Sequence, residues 1–424
     1  MFQPRAIRPD STDPRPPSAV GHGVGIAGLA GVVAWIAIAK AYRLDGPYSA
    51  LTNLLACAVP MVLWSLLVDK VHRRPSTGID WSAPRPWRET LDDSLTKLAG
   101  LWATWAGIAL IYATGRFYWE GGFRFAMWCF TIAAPVLFVL SIPYVLWIDR
   151  RLTQRRDGAH ALGSWLMGQP HDPELIFAHL RAWGVKAFFL AFMLAIAPPG
   201  FGDLIRADWH GSLGDPVALA RLLITLMFVV DVAFASVGYI LTMRPLDAHI
   251  RSANPYAVAW MAALMCYPPF ILMSAGGPLD YHPGTSDWVY WLREWPWVQA
   301  AIGAMLIALT AIYAWATVAF GLRFSNLTHR GILTHGPYGW SRHPAYLSKN
   351  LFWWLSTIPI LSTAGLVEGA RATLLLGAVG GMYYWRARTE ERHLLSDPAY
   401  AEYHAWMGRN GAVPRFFAWV RGGS

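Results

Sequence analysis

Long apolar runs separated by loops of alternating charge constrain this chain more than any other feature. About ten runs are long enough, or nearly so, to cross a hydrocarbon core that needs roughly twenty apolar residues of helix. They lie near residues 22–42, 48–69, 96–114, 125–147, 182–200, 216–242, 254–274, 297–320, 347–363 and 368–385, the last two being short. A backbone in lipid must satisfy its own N–H and C=O groups, so such runs fold as helices. The loops give an independent check. Loop 70–97 carries Lys70, Arg73, Arg74, Arg85, Arg88 and Lys97, and loop 148–186 carries Arg150, Arg151, Arg155, Arg156, Arg181 and Lys186. Loop 321–349 carries Arg323, Arg330, Arg342 and Lys349, and the tail has six arginines from Arg386 on. The intervening loops near 115–124, 201–215, 275–296 and 364–367 are poor in Lys and Arg. This alternation predicts an all-α, polytopic bundle of about ten transmembrane helices with both termini in the cytosol, in a membrane read as a bacterial inner membrane.

Composition excludes other classes. The 424 residues are 55% hydrophobic and only 14% charged, with 24 tryptophans, a density that suits membrane interfaces. The net charge of +9 follows the loops and reads as positive-inside bias; neither a nucleic-acid partner nor a metal is expected. Cys57, Cys129 and Cys266 fall in apolar runs without metal spacing, and their odd number argues against a disulfide framework. Residues 1–20 are rich in Pro, Arg and Asp and read as a disordered cytosolic tail. Residues 21–320 then form an N-terminal bundle of about eight helices, and 321–424 a C-terminal region of two helices and a tail. Glycines and short amphipathic pieces in 148–181 predict a segment on the membrane surface. Trp288, Trp291, Trp295 and Trp297 predict an interfacial aromatic cap.

Two polar clusters flank the last hairpin. The first is Thr334 to Asn350, THGPYGWSRHPAYLSKN. Gly336 and Pro337 predict a turn, and Pro344 a helix start, where its missing N–H would be unpaired in any case. His343 then sits near the N-cap, with His343, Tyr346 and Asn350 on one face. The free N–H groups of such a helix start suit a carboxylate or phosphate. The second cluster is Arg386 to Leu395, in which Arg386 and Glu390 are i,i+4 neighbours.

The order GPY-x3-RHP-x-Y, an apolar hairpin, then R-x3-EE-x2-L with Tyr400 and Tyr403 after it, resembles the isoprenylcysteine carboxyl methyltransferase family and related phospholipid methyltransferases. The resemblance covers the last quarter of the chain. It implies an integral membrane methyltransferase with a cytosolic S-adenosylmethionine site capped by the tail, its methyl group facing a tunnel open to lipid. Residue by residue it points to His343, Pro344, Tyr346 and Glu390 as cofactor-binding, with Tyr338, Arg342, Arg386 and Glu391 close by. The chemistry fits: S-adenosylmethionine has a carboxylate for Arg or a helix start, an ammonium and ribose hydroxyls for Glu, and a sulfonium that a ring such as Tyr346 can face. Two departures stand. Ser396-Asp397-Pro398-Ala399-Tyr400 starts a short helix where the family often has a Phe-Gly approach, and some eight spans precede the resembling part. A prenylated-protein substrate is therefore not implied.

Arg342, Tyr346, Lys349 and Asn350 are the candidate catalytic residues, with Lys349 or Asn350 orienting an anionic acceptor; a lysine there also serves as a snorkelling anchor. Asp231 lies deep in a span, so it must face protein or water. Gly377, Gly380 and Gly381 predict close helix packing, and Pro268-Pro269 a kink in the seventh span. The expected acceptor is a lipidic or amphipathic small molecule bearing a carboxylate, phosphate, thiol or amine. Two other functions stay open: a membrane reductase using NADPH, since integral sterol reductases look similar in this region, and a ten-span transporter or binding protein with Asp231 as its coupling residue.

Overall fold

The computed structural model describes residues 15–420. In chain order the helices are α1 (His22–Tyr42), α2 (Pro47–Leu63, carried on to Val68 by a π turn), α3 (Trp87–Thr114), α4 (Phe123–Asp149), α5 (Gly158–Leu166), α6 (Pro173–Arg206) and α7 (Trp209–Ser212). They continue with α8 (Pro216–Ile240), α9 (Ala257–Leu264), α10 (Trp288–Trp291), α11 (Pro296–Phe320), α12 (Pro344–Thr357), α13 (Leu366–Leu394), α14 (Pro398–Asn410) and α15 (Ala412–Val420). Several starts are written as Asp-Pro. Asp172, Asp215 and Asp397 accept from backbone N–H groups at the starts of α6, α8 and α14, and proline fills the next position.

Among the described residues, seven helices are long and apolar enough to cross a membrane: α1, α2, α3, α4, α6, α8 and α11. The other three expected spans differ. The run 254–274 is helical only over α9, eight residues, and then breaks into turns. Pro268 and Pro269 supply no N–H, so a helix cannot run through the pair unbroken. The run 347–363 lies in α12, whose 14 residues reach about 21 Å at 1.5 Å per residue, too short for a hydrocarbon core of about 30 Å. The tenth, α13, is long at 29 residues, but Glu368, Arg371 and its arginine-rich end dilute its apolar face.

The core is built from α1, α2, α6 and α8, with Val32, Ile36, Leu54, Met61, Phe201 and Phe234 buried among them. Where helices face lipid, apolar burial gives little net drive, and close packing of small residues matters more. Gly100 on α3 and Gly163 on α5 show this. A Cβ on Gly100 would meet the Ala159 carbonyl oxygen at 1.9 Å, and one on Gly163 would meet the Thr96 carbonyl oxygen at 1.9 Å. So α5 is wedged against α3 with Ala159, Ala161, Leu162 and Ser164 buried, and only its end (Trp165, Leu166, Met167) is exposed as the surface reading expects. α4 leaves Ile132, Val136, Leu137, Val139 and Leu140 more than half exposed, as a hydrocarbon-facing helix does. In the aromatic loop, Trp295 and Trp297 are exposed while Trp288 is buried against α11.

Most basic loops, the chain start and the C-terminal helices meet at one end of the bundle, the basic end. Two ion networks and one buried guanidinium fasten it. Lys97 on α3 contacts Asp149 on α4 at 2.5 Å and Asp157 before α5 at 3.2 Å. Asp247, after α8, accepts from Arg323 at 2.6 Å and from Ser76 at 2.8 Å. Arg330 is 3% exposed and donates to the carbonyls of Gly238, Leu241, Ala248, Leu322 and Phe324, so one guanidinium gathers the open carbonyls at the end of α8 and in the loop after α11. A two-residue antiparallel ladder, Ser252–Ala253 with Thr328–His329, pins that loop from the other side.

Of the tail read as disordered, residues 1–14 lie outside the described residues. The next six run along the junction turn: Ala19 N–H donates to the Ile332 carbonyl at 2.8 Å, and Ser18 meets His335 at 2.6 Å. The Arg15 guanidinium stacks 4.3 Å from the Trp406 ring of α14.

Candidate functional site

The chain from Thr334 to Asn350 folds as its turn residues dictate. Gly336 adopts φ +57°, a conformation that favours glycine, and a short 3₁₀ turn runs to Gly339. His343 is the N-cap of α12 and Pro344 its first residue. α13 runs back across α12, so the two polar clusters, some forty residues apart in sequence, touch. The Tyr346 hydroxyl donates to Glu390 Oε1 at 2.5 Å, and Arg386 Nε donates to the same oxygen at 3.4 Å. The i,i+4 relationship between Arg386 and Glu390 is therefore a real contact. Both bonds fall on Oε1, which leaves Glu390 Oε2 for another partner.

Arg386 is 2% exposed, and a buried cation needs compensation from all sides. It donates to Asn326 Oδ1 at 2.5 Å, while Asn326 donates to the Tyr239 hydroxyl at 2.8 Å. Its guanidinium also lies 5.1 Å from the Tyr346 ring and 5.5 Å from the Tyr267 ring. His343 stacks on Tyr346 from its own helix, ring centroids 5.6 Å apart and nearly parallel. The Tyr346 ring, expected to face a ligand cation, is thus already engaged by Arg386 and His343.

Glu391 does something else. It is 3% exposed and binds cations on both oxygens: Arg342 Nε at 3.2 Å and His343 Nε2 at 3.1 Å on Oε1, and Arg388 Nη1 at 3.0 Å on Oε2. His404 of α14 lies 3.5 Å from Oε2. Burial raises its carboxyl pKa, but the hydrogen bond from His343 and the charges of His343, Arg342 and His404 outweigh this and hold it down at about 2. Glu391 is the hub that ties α12, α13 and α14 together.

These elements line a cavity of about 170 Å³ that opens at its mouth. Of the residues singled out by sequence, Tyr338, Arg342, His343, Tyr346, Lys349, Arg386 and Glu390 line it. Pro344, Asn350 and Glu391 do not. Pro344 is buried in the first turn of α12. Asn350 donates to the Tyr346 carbonyl at 2.8 Å, and its Oδ1 faces Gly380 of α13, where a Cβ would approach to 3.3 Å. Asn350 therefore sits at the α12–α13 contact, its Oδ1 buried without a hydrogen-bond partner among the described residues. Among Gly377, Gly380 and Gly381, only Gly380 sits at such an approach.

Much of the rest of the wall comes from residues that the motif pattern does not single out. Tyr313, Thr317 and Phe320 of α11, Tyr267 of the broken seventh run, and the loop from Arg323 to Leu333 all line the cavity. Tyr400 and Tyr403 of α14 close the basic end, the Tyr403 hydroxyl donating to the Tyr338 carbonyl at 2.8 Å. So the site is not confined to 321–424. One sequence signal pointed there: Tyr313 and Thr317 are polar residues at i,i+4 in an apolar run. Asp231 of α8 lies behind them, 7% exposed, accepting a hydrogen bond from the Thr317 hydroxyl. It faces protein, as its depth required.

Fold and site together define the protein as an all-α membrane bundle with a polar, aromatic-walled cavity at its basic end. Comparison of the chain with protein-family models, with curated proteins and with solved structures finds no match.

Proposed function

We propose that this chain is an integral membrane methyltransferase that uses S-adenosylmethionine and acts on a lipidic or amphipathic acceptor, with its basic end and both termini on the cytosolic side of a bacterial inner membrane. The observation that carries this reading is the meeting of the two polar clusters in one cavity, through Tyr346, Glu390 and Arg386. A transporter has no need of that pairing at an aromatic-walled end.

The donor set suits the cofactor. Glu390 Oε2 is the group for an ammonium or ribose hydroxyls, and Arg342 with His343 the pair for its carboxylate. The rings of Tyr338, Tyr400 and Tyr403 are the apolar faces for adenine, replacing the stacking expected of Tyr346. Bound S-adenosylmethionine would supply an electrophilic methyl on a sulfonium. The protein's part is then to hold donor and acceptor in line and to exclude water. Arg386, locked by Asn326, fixes Glu390, and Glu390 in turn fixes Tyr346. Glu391 keeps the tyrosines of α14 over the site through Arg342 and His404.

The test is a binding comparison on the purified full chain. S-adenosylhomocysteine should bind by calorimetry, and Glu390→Ala or His343→Ala should abolish binding while the bundle stays folded. Binding of NADPH in its place would move the reading to a reductase; retained affinity in both variants would overturn the site.

A further inference from the structure

The cavity has a second polar end, one tyrosine ring away from Arg386. Lys349, on α12, lines it. Its ammonium lies 5.2 Å from the Trp353 ring, 5.5 Å from Tyr383 and 5.6 Å from Tyr313. Arg386 lies 6.0 Å from the same Tyr383 ring. Among the described residues no carboxylate comes within ion-pair distance of Lys349. The carboxylate whose field reaches it is Asp231, and Asp231 is already held by the Thr317 hydroxyl. Three rings flank the partly buried ammonium without neutralising it, so an incoming anion meets a cation with open donors. The opposite side of α12 presents Leu347 and Leu351, 44% and 45% exposed, to the apolar surroundings. One helix thus carries a cation inward and an apolar face outward.

We infer that Lys349 is a head-group site for a single-chain anionic amphiphile, a carboxylate or phosphate with an alkyl tail, and that Asp231 is the resident counter-charge such an anion competes with. Calling this ligand the methyl acceptor rests on the function proposed above; the binding site itself does not. The two charges make opposite predictions. Loss of the lysine removes the attraction, whereas loss of the aspartate charge removes the competitor. Asparagine at 231 still accepts from Thr317, so the second variant keeps the local hydrogen bond.

The experiment measures radiolabelled dodecanoate binding to the full chain in neutral detergent, with S-adenosylhomocysteine affinity read separately by calorimetry. Dodecyl phosphate should compete with dodecanoate, and dodecanol and dodecylamine should be about tenfold weaker, the worth of one charge-assisted contact. Acetate and inorganic phosphate should fail to compete, which separates an amphiphile from a free anion. Lys349→Met should weaken dodecanoate about tenfold or more, and Asp231→Asn should strengthen it severalfold, a gain that a merely structural aspartate would not give. Equal binding of dodecanol, displacement by inorganic phosphate, or weaker binding in Asp231→Asn would each overturn the site. Should Lys349→Met not fold, the competitor series and Asp231→Asn still decide. Lys349-dependent dodecanoate binding without S-adenosylhomocysteine binding would sink the methyltransferase and leave this site standing; the reverse result would do the opposite.

Discussion

The Tyr346 hydroxyl donates to Oε1 of Glu390 at 2.5 Å, linking the first turn of α12 to the last third of α13. That bond joins two polar clusters with an apolar hairpin between them. Tyr346→Phe keeps the ring against His343 and Arg386 and removes only the hydroxyl. We expect the fold to persist and S-adenosylhomocysteine affinity to fall by about tenfold, the worth of one hydrogen bond to a charged group. Glu390→Gln should lose more, because it also leaves buried Arg386 without a carboxylate. Calorimetry on the two variants gives the order.

Glu391 makes the C-terminal cap acid-sensitive. Its folded pKa, about 2, lies below the ordinary 4.5, so its contribution is fully present above about 4.5 and is lost as pH falls toward 2. Hydrogen exchange of α14 at pH 7, 4 and 3 should show release of Pro398–Asn410 across that window. Glu391→Gln should loosen α14 already at pH 7, by about 2–3 kcal/mol, and flatten the pH dependence. An unchanged pH profile in the variant would assign the acid response elsewhere.

Arg330 gathers the carbonyls of Gly238, Ala248 and Phe324 into one guanidinium. Arg330→Met should lower stability by about 3 kcal/mol or more, since each stranded buried carbonyl costs about 1–3 kcal/mol. Lysine should rescue little, because its compact ammonium cannot reach so many acceptors at once. Thermal unfolding in detergent checks both, and full rescue by lysine would show that charge alone matters there.

Gly100 and Gly163 allow α3 and α5 to touch backbone to backbone. Gly163→Ala should push α5 off α3, costing about 1–3 kcal/mol as overpacking does. A surface change such as Gly168→Ala is a poor control, since Gly168 has φ +69°. Gly107→Ala, with open space at the Cβ, should be neutral or better. Equal effects at Gly163 and Gly107 would remove the case for a glycine-paired crossing.

Much of the fold was readable before any coordinates. Seven of the apolar runs are long helices because length and hydropathy alone decide whether a backbone can satisfy itself in lipid. The starts of α6, α8 and α14 follow from Asp-Pro pairs, and the turn before α12 from Gly336, Pro337 and Pro344. The Arg386–Glu390 contact follows from helical spacing. These are local properties, set by neighbours in the chain.

What tertiary structure decided is which residues face one another across helices. Nothing in the local pattern distinguishes Glu390, which opens to the cavity, from Glu391, which is consumed by Arg342, His343 and Arg388 one position later. Successive helical residues point about 100° apart, and only the packing of α12 and α14 against α13 says which direction is inward. Asn350 faces Gly380 of α13, and Tyr313, Thr317 and Tyr267 were brought to the site from distant runs. Apolar hydropathy marks α9 and α12 as spans; the Pro268-Pro269 break and the turn after Thr357 make them short, and Tyr267 of the broken run lines the cavity. Sequence determined the helices and the chemistry available at their ends. Their mutual orientation, a sum of many weak contacts with no local signature, determined which of that chemistry meets.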